Sequence, residues 1–316
     1  MARREGLDLP VPATLVFPGA VDADEDHWQA MVLRHLDLSN WIRIEVHDEL
    51  DAVGPIASEV LIRHGLLWPY NVHFHVPIFE HARGGSVVTG FGGDEVAKCS
   101  ASCQAERLFT KRTRPHPRDL LVAGLAISPA AVRTMVHRHR LQSQLQDYPW
   151  LTRAGARQLV RAYGAIEGGL PMGWAAKIRR WLWRDRYFRV CQASFRVVGS
   201  HFDVDVVHPF VEREVLGALA DAGGFSGFGD RAQLLHGLFG DVLPPELIER
   251  RSKAIFSTPF WTETSREFAR TWSGGGIDQV LVDPAELRRQ WIDGNWTVGS
   301  ATLLQSAWLH DHGSPG

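Results

Sequence analysis

The sequence lacks several features that mark specialised classes of protein. Three cysteines among 316 residues give no disulfide framework, so a reducing cytoplasm is the expected compartment. No apolar run approaches the roughly 20 residues of a membrane-spanning helix, and the first dozen residues lack the apolar core of a signal peptide. The net charge of −2 is not the large positive excess typical of nucleic-acid-binding proteins. We therefore expect a cytoplasmic protein that binds neither a membrane nor nucleic acid.

Lysine is also scarce. Only four of the 34 basic residues are lysine, namely Lys98, Lys111, Lys177 and Lys253. Because arginine carries most of the positive charge, an arginine cluster says little about function, whereas a lysine inside a motif stands out. Hydrophobic residues (45%) and charged residues (22%) occur in the proportions of a globular protein, which excludes a disordered, collagen-like or coiled-coil chain.

The strand and helix patterns divide the chain into two parts. Strand patterns at 13–17, 41–46 and 85–90 alternate with helical patterns at 22–36 and 48–64, which predicts a parallel sheet with helices on its faces. After about residue 100 helical patterns dominate, at 116–145, 152–198, 208–222, 230–239, 261–272 and 301–310. The prediction is one domain over 1–316, with an α/β nucleotide-binding core at 1–100 and a mainly helical part at 101–316.

A glycine-rich loop follows the third strand pattern. Here a hydrophobic run leads into Gly90, Gly92 and Gly93 and then Asp94. Glycines let the backbone approach a nucleotide and offer amide donors to phosphate oxygens, and Mg²⁺ takes one or two carboxylates together with phosphate oxygens. Taken alone, the loop fits equally well an ordinary strand-to-helix turn with Asp94 near a helix cap.

Two later segments carry further candidates. Residues 243–256 begin at a proline-marked helix start and end in a basic cluster with Lys253, which either neutralises charge on a leaving phosphate or lies at a solvated helix end. In residues 204–215, Pro209 predicts a helix start. Glu212 then falls in the first turn, either as a carboxylate base or as a residue that the helix dipole favours.

Together and in this order, these segments resemble the synthetase domain of the asparagine synthetase family. That family joins S/T-G-x-G-G/S-D-E, PF-x-D/E and LP…R-x-K-x-x-F, which match residues 89–95, 209–212 and 243–256, with Val207 where an arginine is usual. The chain is most similar to the asparagine-synthase-related proteins of bacterial peptide-biosynthesis clusters, including lasso-peptide cyclases. The resemblance implies a parallel sheet of the adenine-nucleotide alpha-hydrolase (ATP pyrophosphatase) type, incomplete at the N-terminus, followed by a mostly helical half.

The resemblance also implies an activity, ATP-dependent amide-bond formation through an acyl-adenylate with release of AMP and pyrophosphate. The substrates would be a carboxylate and an amine, each from a small molecule or a peptide. By motif position Asp94 would bind Mg²⁺, Lys253 would be the cation at the pyrophosphate, and Glu212 would be a base. The ATP-binding residues implied in the same way are Leu15, Val16, Phe17, Thr89, Gly90, Gly92 and Gly93.

Besides Val207, the chain departs from the family in three larger ways. The pyrophosphate-binding loop SGGxDS is expected before the first strand, where only a dozen residues stand, and residues 273–278 match it only superficially. Phe91 occupies a position that is acidic in asparagine synthetases, and phenylalanine cannot accept a proton. Position 2 is Ala, whereas the family's glutaminase domain has a cysteine at position 2, so we expect no glutaminase domain in this chain.

These departures leave two interpretations open. The first is an enzyme whose expected acceptor is an amine-bearing peptide or small molecule, unless a separate protein supplies ammonia or the peptide. The alternative is a catalytically impaired or non-catalytic partner or binding protein that lacks the loop. An in-frame SGGxDS upstream of the start codon would favour the enzyme.

Three other patterns favour structural roles. His73 and His75 have a spacing that some metal sites use, but no further ligand cluster lies nearby in the sequence. Cys99 and Cys103 would share a helix face, without the two more ligands that zinc requires. Residues 177–189 mix cations and aromatics as an amphipathic helix does.

Overall fold

The computed structural model describes residues 5–97, 120–121, 124–125 and 127–313, apart from the side chains of 181–184 and 257. The described part mixes α-helices and short parallel strands and is mostly helical. No helix in it is both long and apolar enough to cross a membrane. Cys99 and Cys103, together with a small part of the helical pattern at 116–145, lie outside the described residues.

The strands and helices are named in chain order. The strands are β1 (Ala13–Val16), β2 (Ile42–Glu45), β3 (Ser86–Val88) and β4 (Asp205–Val207). The first helices are α1 (Asp26–His35), α2 (Pro55–His64), α3 (Val76–His81), α4 (Gly93–Ala97), α5 (Ala130–Ser143), α6 (Arg153–Gly168), α7 (Trp174–Arg184) and α8 (Arg186–His201). Those after β4 are α9 (Arg213–Gly223), α10 (Arg231–Phe239), α11 (Pro245–Ile248), α12 (Ser257–Phe260), α13 (Glu263–Thr271), α14 (Pro284–Ile292) and α15 (Val298–His312).

The strands form parallel pairs. β1 pairs with β2, from Ala13 opposite Ile42 to Val16 opposite Glu45, and β3 pairs with β4 in the same sense. Within the described residues these are separate two-stranded sheets, so the prediction of one continuous parallel sheet is corrected. Strands of three or four residues offer too few ladder hydrogen bonds to extend a wider sheet.

Several helix predictions also change at their boundaries. The pattern at 48–64 becomes α2 alone, because Pro55 is favoured at the first helical position. The pattern at 152–198 divides into α6, α7 and α8, and the Asp185 side chain caps the last of these by accepting from the amide of Tyr187. The predicted helix start at Pro209 is a 3₁₀ turn over Pro209–Val211, which places Glu212 at the N-cap of α9.

Three apolar clusters form the core. The first packs α13, α14 and α15 against the turn after β2, where the fully buried Asp51 carboxylate accepts hydrogen bonds from Thr262 and Ser265. A second cluster surrounds Ile178 between α7, α9 and α4. The third joins α2, α3 and α8 beneath β3 and β4. Because Phe91 packs against both the second and the third cluster, the loop after β3 has a fixed position.

Candidate functional site

The loop after β3 is shaped by backbone pairing and close packing. The Thr89 amide donates to the Val207 carbonyl at 3.0 Å, and the Thr89 hydroxyl accepts from the amide of Phe91 at 3.2 Å. Gly92 has a φ of 88°, and a Cβ built on it would lie 2.3 Å from Cγ1 of Val211. Gly92 therefore owes its identity to the turn and the packing. Gly90 differs, because a Cβ there would meet no atom within 4 Å.

Asp94 and Lys253 meet at the start of α4. The Lys253 Nζ lies 2.8 Å from Oδ2 of Asp94, although the two residues are 159 positions apart in the chain. Their side chains are 79% and 75% exposed, and an exposed ion pair of this kind adds little to stability. Both charges are thus accessible from solvent and in contact with each other.

A largely buried ion pair anchors the segment that carries Lys253. Arg250 donates from Nη1 to Oε2 of Glu25 at 2.7 Å and from Nη2 to the other carboxylate oxygen. Both side chains are largely buried, and the guanidinium carbon lies 4.6 Å from the centre of the Trp28 ring. The hydrogen bond with Glu25 raises the pKa of Arg250 above its usual value. This pairing ties the segment to α1, three residues before Lys253.

The same segment then reaches the end of β1. The amide of Ile255 donates to the Asp22 carbonyl at 2.8 Å. The ring of Phe256 meets that of Phe17 edge-on, with 5.8 Å between the ring centres. Phe17 directly follows Val16, the last residue of β1. One short stretch of chain therefore connects the carboxyl end of β1 with Asp94, which follows β3.

A cavity of about 440 Å³ opens at the carboxyl ends of β1 and β2. Phe17 lines it on one side, Trp296 is stacked on Trp261 at 5.3 Å on another, and Arg266 and Asp48 contribute charge. Ligands of open α/β sheets bind at this end of the strands, and the volume falls in the range of small-molecule sites. Leu15 and Val16 lie within β1, paired with β2.

His208 is a site residue that the sequence analysis missed. It directly follows β4, and its Nδ1 lies 2.6 Å from the Thr89 hydroxyl oxygen. The side chain is buried, and its Nε2 has no hydrogen-bond partner among the described residues. Burial, reinforced by Arg196, lowers the pKa of His208. The only signal in the sequence is a histidine between a β-prone run and a proline.

Three further candidates from the sequence are Glu212, His73 and the superficial match to SGGxDS. Glu212 is exposed, and its side chain does not cap α9. The ring of His73 is buried, with Nε2 3.1 Å from the Leu50 carbonyl oxygen. Within the part of the chain that the structure describes, no three His, Cys, Asp or Glu side chains are grouped to hold a metal ion. Gly276, in the superficial match to SGGxDS, is packed against α15, where a Cβ would lie 2.8 Å from the Ala307 Cα.

Comparison of the chain with protein-family models, with curated proteins and with solved structures finds no match. The geometry of the site and the three ordered motifs therefore carry the functional argument.

Proposed function

We propose that the protein forms amide bonds at the expense of ATP, activating a carboxylate as an acyl-adenylate in the manner of the asparagine synthetase family. The observation that carries this proposal is the contact between Asp94 and Lys253. These residues come from two of the three motifs that the chain shares with that family. A carboxylate and an ammonium group, both accessible, are what a magnesium-bound triphosphate requires.

The chemistry of the two groups fits Mg²⁺ and a triphosphate. Asp94 offers an exposed carboxylate at the start of α4, and Mg²⁺ typically takes one or two protein carboxylates plus phosphate oxygens. The bound metal would screen the negative charge of the triphosphate. Lys253 would exchange its contact with Asp94 for the phosphates and neutralise charge that builds up on the leaving pyrophosphate.

The nucleoside would bind towards the cavity at the end of β1. Phe256 lies three residues after Lys253 and contacts Phe17, which lines that cavity. Thr89 and Gly90 would lie beside the sugar and the α-phosphate, where the space next to Gly90 is open. Gly92 and Gly93 would act indirectly by setting the direction of α4.

The reaction then needs a carboxylate and an amine. The carboxylate, from a small molecule or a peptide, attacks the α-phosphorus while Lys253 stabilises the leaving pyrophosphate. The amine next displaces AMP and loses a proton. Phe91 cannot accept that proton, and its ring packs against Phe188 and Phe195. The resemblance implies Glu212 as a base; this residue is exposed and follows Val211, which packs against Gly92.

Exchange of labelled pyrophosphate into ATP tests the proposal. The assay contains Mg²⁺ and, one at a time, amino acids and short peptides as carboxylates. We expect exchange with at least one of them, and a loss of about 100-fold or more in Lys253→Ala and Asp94→Asn. Both side chains are exposed, so the circular-dichroism spectra should be unchanged, and Arg251→Ala serves as the neighbouring control. Undiminished exchange in Lys253→Ala would contradict the proposal, whereas ATP binding without exchange would favour the non-catalytic alternative.

A further inference from the structure

The carboxyl ends of β3 and β4 bring a hydroxyl and an imidazole together. We propose that Thr89 and His208 form a proton relay that removes the proton from the attacking amine in the amide-forming half of the reaction. The inference rests on the proposed function, and it assigns to Thr89 the contact with the substrate and to His208 a positioning role behind it. The observation that supports the relay is the 2.6 Å separation between the Thr89 Oγ1 and the His208 Nδ1.

The hydrogen bonds indicate the direction of proton transfer. The Thr89 oxygen already accepts a hydrogen bond from the amide of Phe91, so its own hydrogen can be donated to Nδ1 of His208. That arrangement places the ring hydrogen on Nε2, a buried atom with no partner within the described residues. The ring is held in place by aromatic edges, with 5.2 Å to the centre of Phe91 and 4.9 Å to that of Phe195. In this tautomer, which the proposed relay requires, the basic nitrogen of the imidazole faces the hydroxyl.

Burial and one nearby cation disfavour the protonated form of His208. The charged and titratable groups that interact with His208 are Arg196 on α8 and His75 in the Val72–His75 turn. Burial and the positive charge of Arg196 lower the pKa of His208. Burial lowers the pKa of His75 to about 4, so His75 adds no positive charge near neutral pH. A neutral imidazole is the form that can accept a proton.

Each bond and each proton of the proposed step is accounted for. As the amine nitrogen bonds to the acyl carbon, the bond between that carbon and the AMP oxygen breaks. The nitrogen loses a proton to the Thr89 Oγ1, and the hydrogen of that hydroxyl passes to Nδ1 of His208. The imidazolium then returns the proton to solvent through Thr89. Thr89 is only half-buried and Gly90 beside it is exposed, so an amine can approach the hydroxyl.

Separate assays of the two half-reactions test the relay. Pyrophosphate exchange reports adenylation, and transfer of the activated acyl group to methylamine reports amide formation. The variants are Thr89→Val, Thr89→Ser as its matched control, and His208→Asn, which retains a hydrogen-bonding group without basicity. We expect the ratio of transfer to exchange to fall about 100-fold in Thr89→Val and His208→Asn and to stay within about threefold in Thr89→Ser.

The pH profile distinguishes a relay from a structural role. In the wild-type protein, the rate of transfer divided by the concentration of unprotonated methylamine should decline at acidic pH as His208 becomes protonated, and this limb should be absent in His208→Asn. A wild-type ratio and an unchanged acidic limb in both variants would overturn the relay. If His208→Asn does not fold, the ratio of transfer to exchange in Thr89→Val and Thr89→Ser tests the relay, and equal ratios in these two variants would overturn it. Absence of exchange in the wild-type protein would instead refute the proposed function itself.

Discussion

At the scale of single residues, Arg250 sets the position of Lys253. Lys253 is exposed and makes its contact with Asp94 at the surface, whereas Arg250 is mostly buried and binds Glu25 with both arms of its guanidinium group. Charge-assisted bonds with two parallel contacts are among the stronger polar interactions in proteins. The largely buried pair therefore holds the segment in place, while Lys253 stays exposed in its contact with Asp94.

Replacing Arg250 with lysine tests this division of roles. Lysine keeps the charge but cannot reproduce the two-armed contact with Glu25 or the stacking on Trp28. We expect Arg250→Lys to lower the free energy of unfolding by about 1–3 kcal/mol, measured by chemical denaturation, and to weaken ATP binding without a direct contact. Arg251→Lys, at an exposed neighbouring position, is the control. Equal stability of the two variants would show that the pair does not anchor the segment.

At the scale of elements, the turn from β3 to α4 fixes the direction of Asp94. Glycine is required at position 92 for two reasons. Its backbone is left-handed, and Val211 approaches it too closely for a side chain. Gly90, two residues earlier, has neither constraint. The two glycines look alike in the sequence and differ only in the folded chain.

Alanine substitutions should separate the two glycines. Gly92→Ala introduces left-handed strain and a clash, so we expect the free energy of unfolding to fall by about 2 kcal/mol or more, and pyrophosphate exchange to fall with it. Gly90→Ala should change stability by less than about 0.5 kcal/mol. Thermal or chemical denaturation of both variants provides the measurement, and a Gly92→Ala protein as stable as Gly90→Ala would contradict the described turn.

The strands and the loop after β3 show which parts of the fold the sequence predicts and which it does not. β1, β2 and β3 were predicted because apolar runs end at turn residues. β4 was missed because its three residues stand between helical patterns, and its partner β3 is 119 positions away. Likewise, the loop and Asp94 were visible as a motif, but the contact between Arg250 and Glu25, 225 positions apart, leaves no local pattern.

At the scale of the whole molecule, buried histidines couple folding to pH. Burial lowers the pKa values of His73, His75 and His208, that of His75 to about 4. Histidine in the unfolded chain titrates near 6.5. Between these values the unfolded chain binds more protons than the folded one, so stability rises with pH across this window and is lost as the pH falls from 6.5 towards 4.

Substitution of His75 tests this coupling. His75→Phe keeps the aromatic contacts with Phe79 and Phe195 and removes one titrating group. We expect the wild-type free energy of unfolding to fall by about 2 kcal/mol or more between pH 6.5 and pH 4.5, and the variant to lose less over the same range. His35→Gln, on the exposed side of α1, should follow the wild-type curve. Parallel curves for all three proteins would contradict the coupling.

The central claim is that one triphosphate binds against Lys253 and Asp94, and the scarcity of lysine allows a direct measurement. Acetylation with an amine-reactive reagent, followed by mass spectrometry, can report each of the four lysines separately. With Mg²⁺ and ATP present, we expect acetylation of Lys253 to fall about tenfold while that of Lys177 stays constant, and AMP, which lacks the outer phosphates, should protect Lys253 far less. Equal acetylation of Lys253 with and without saturating Mg²⁺ and ATP would contradict the account.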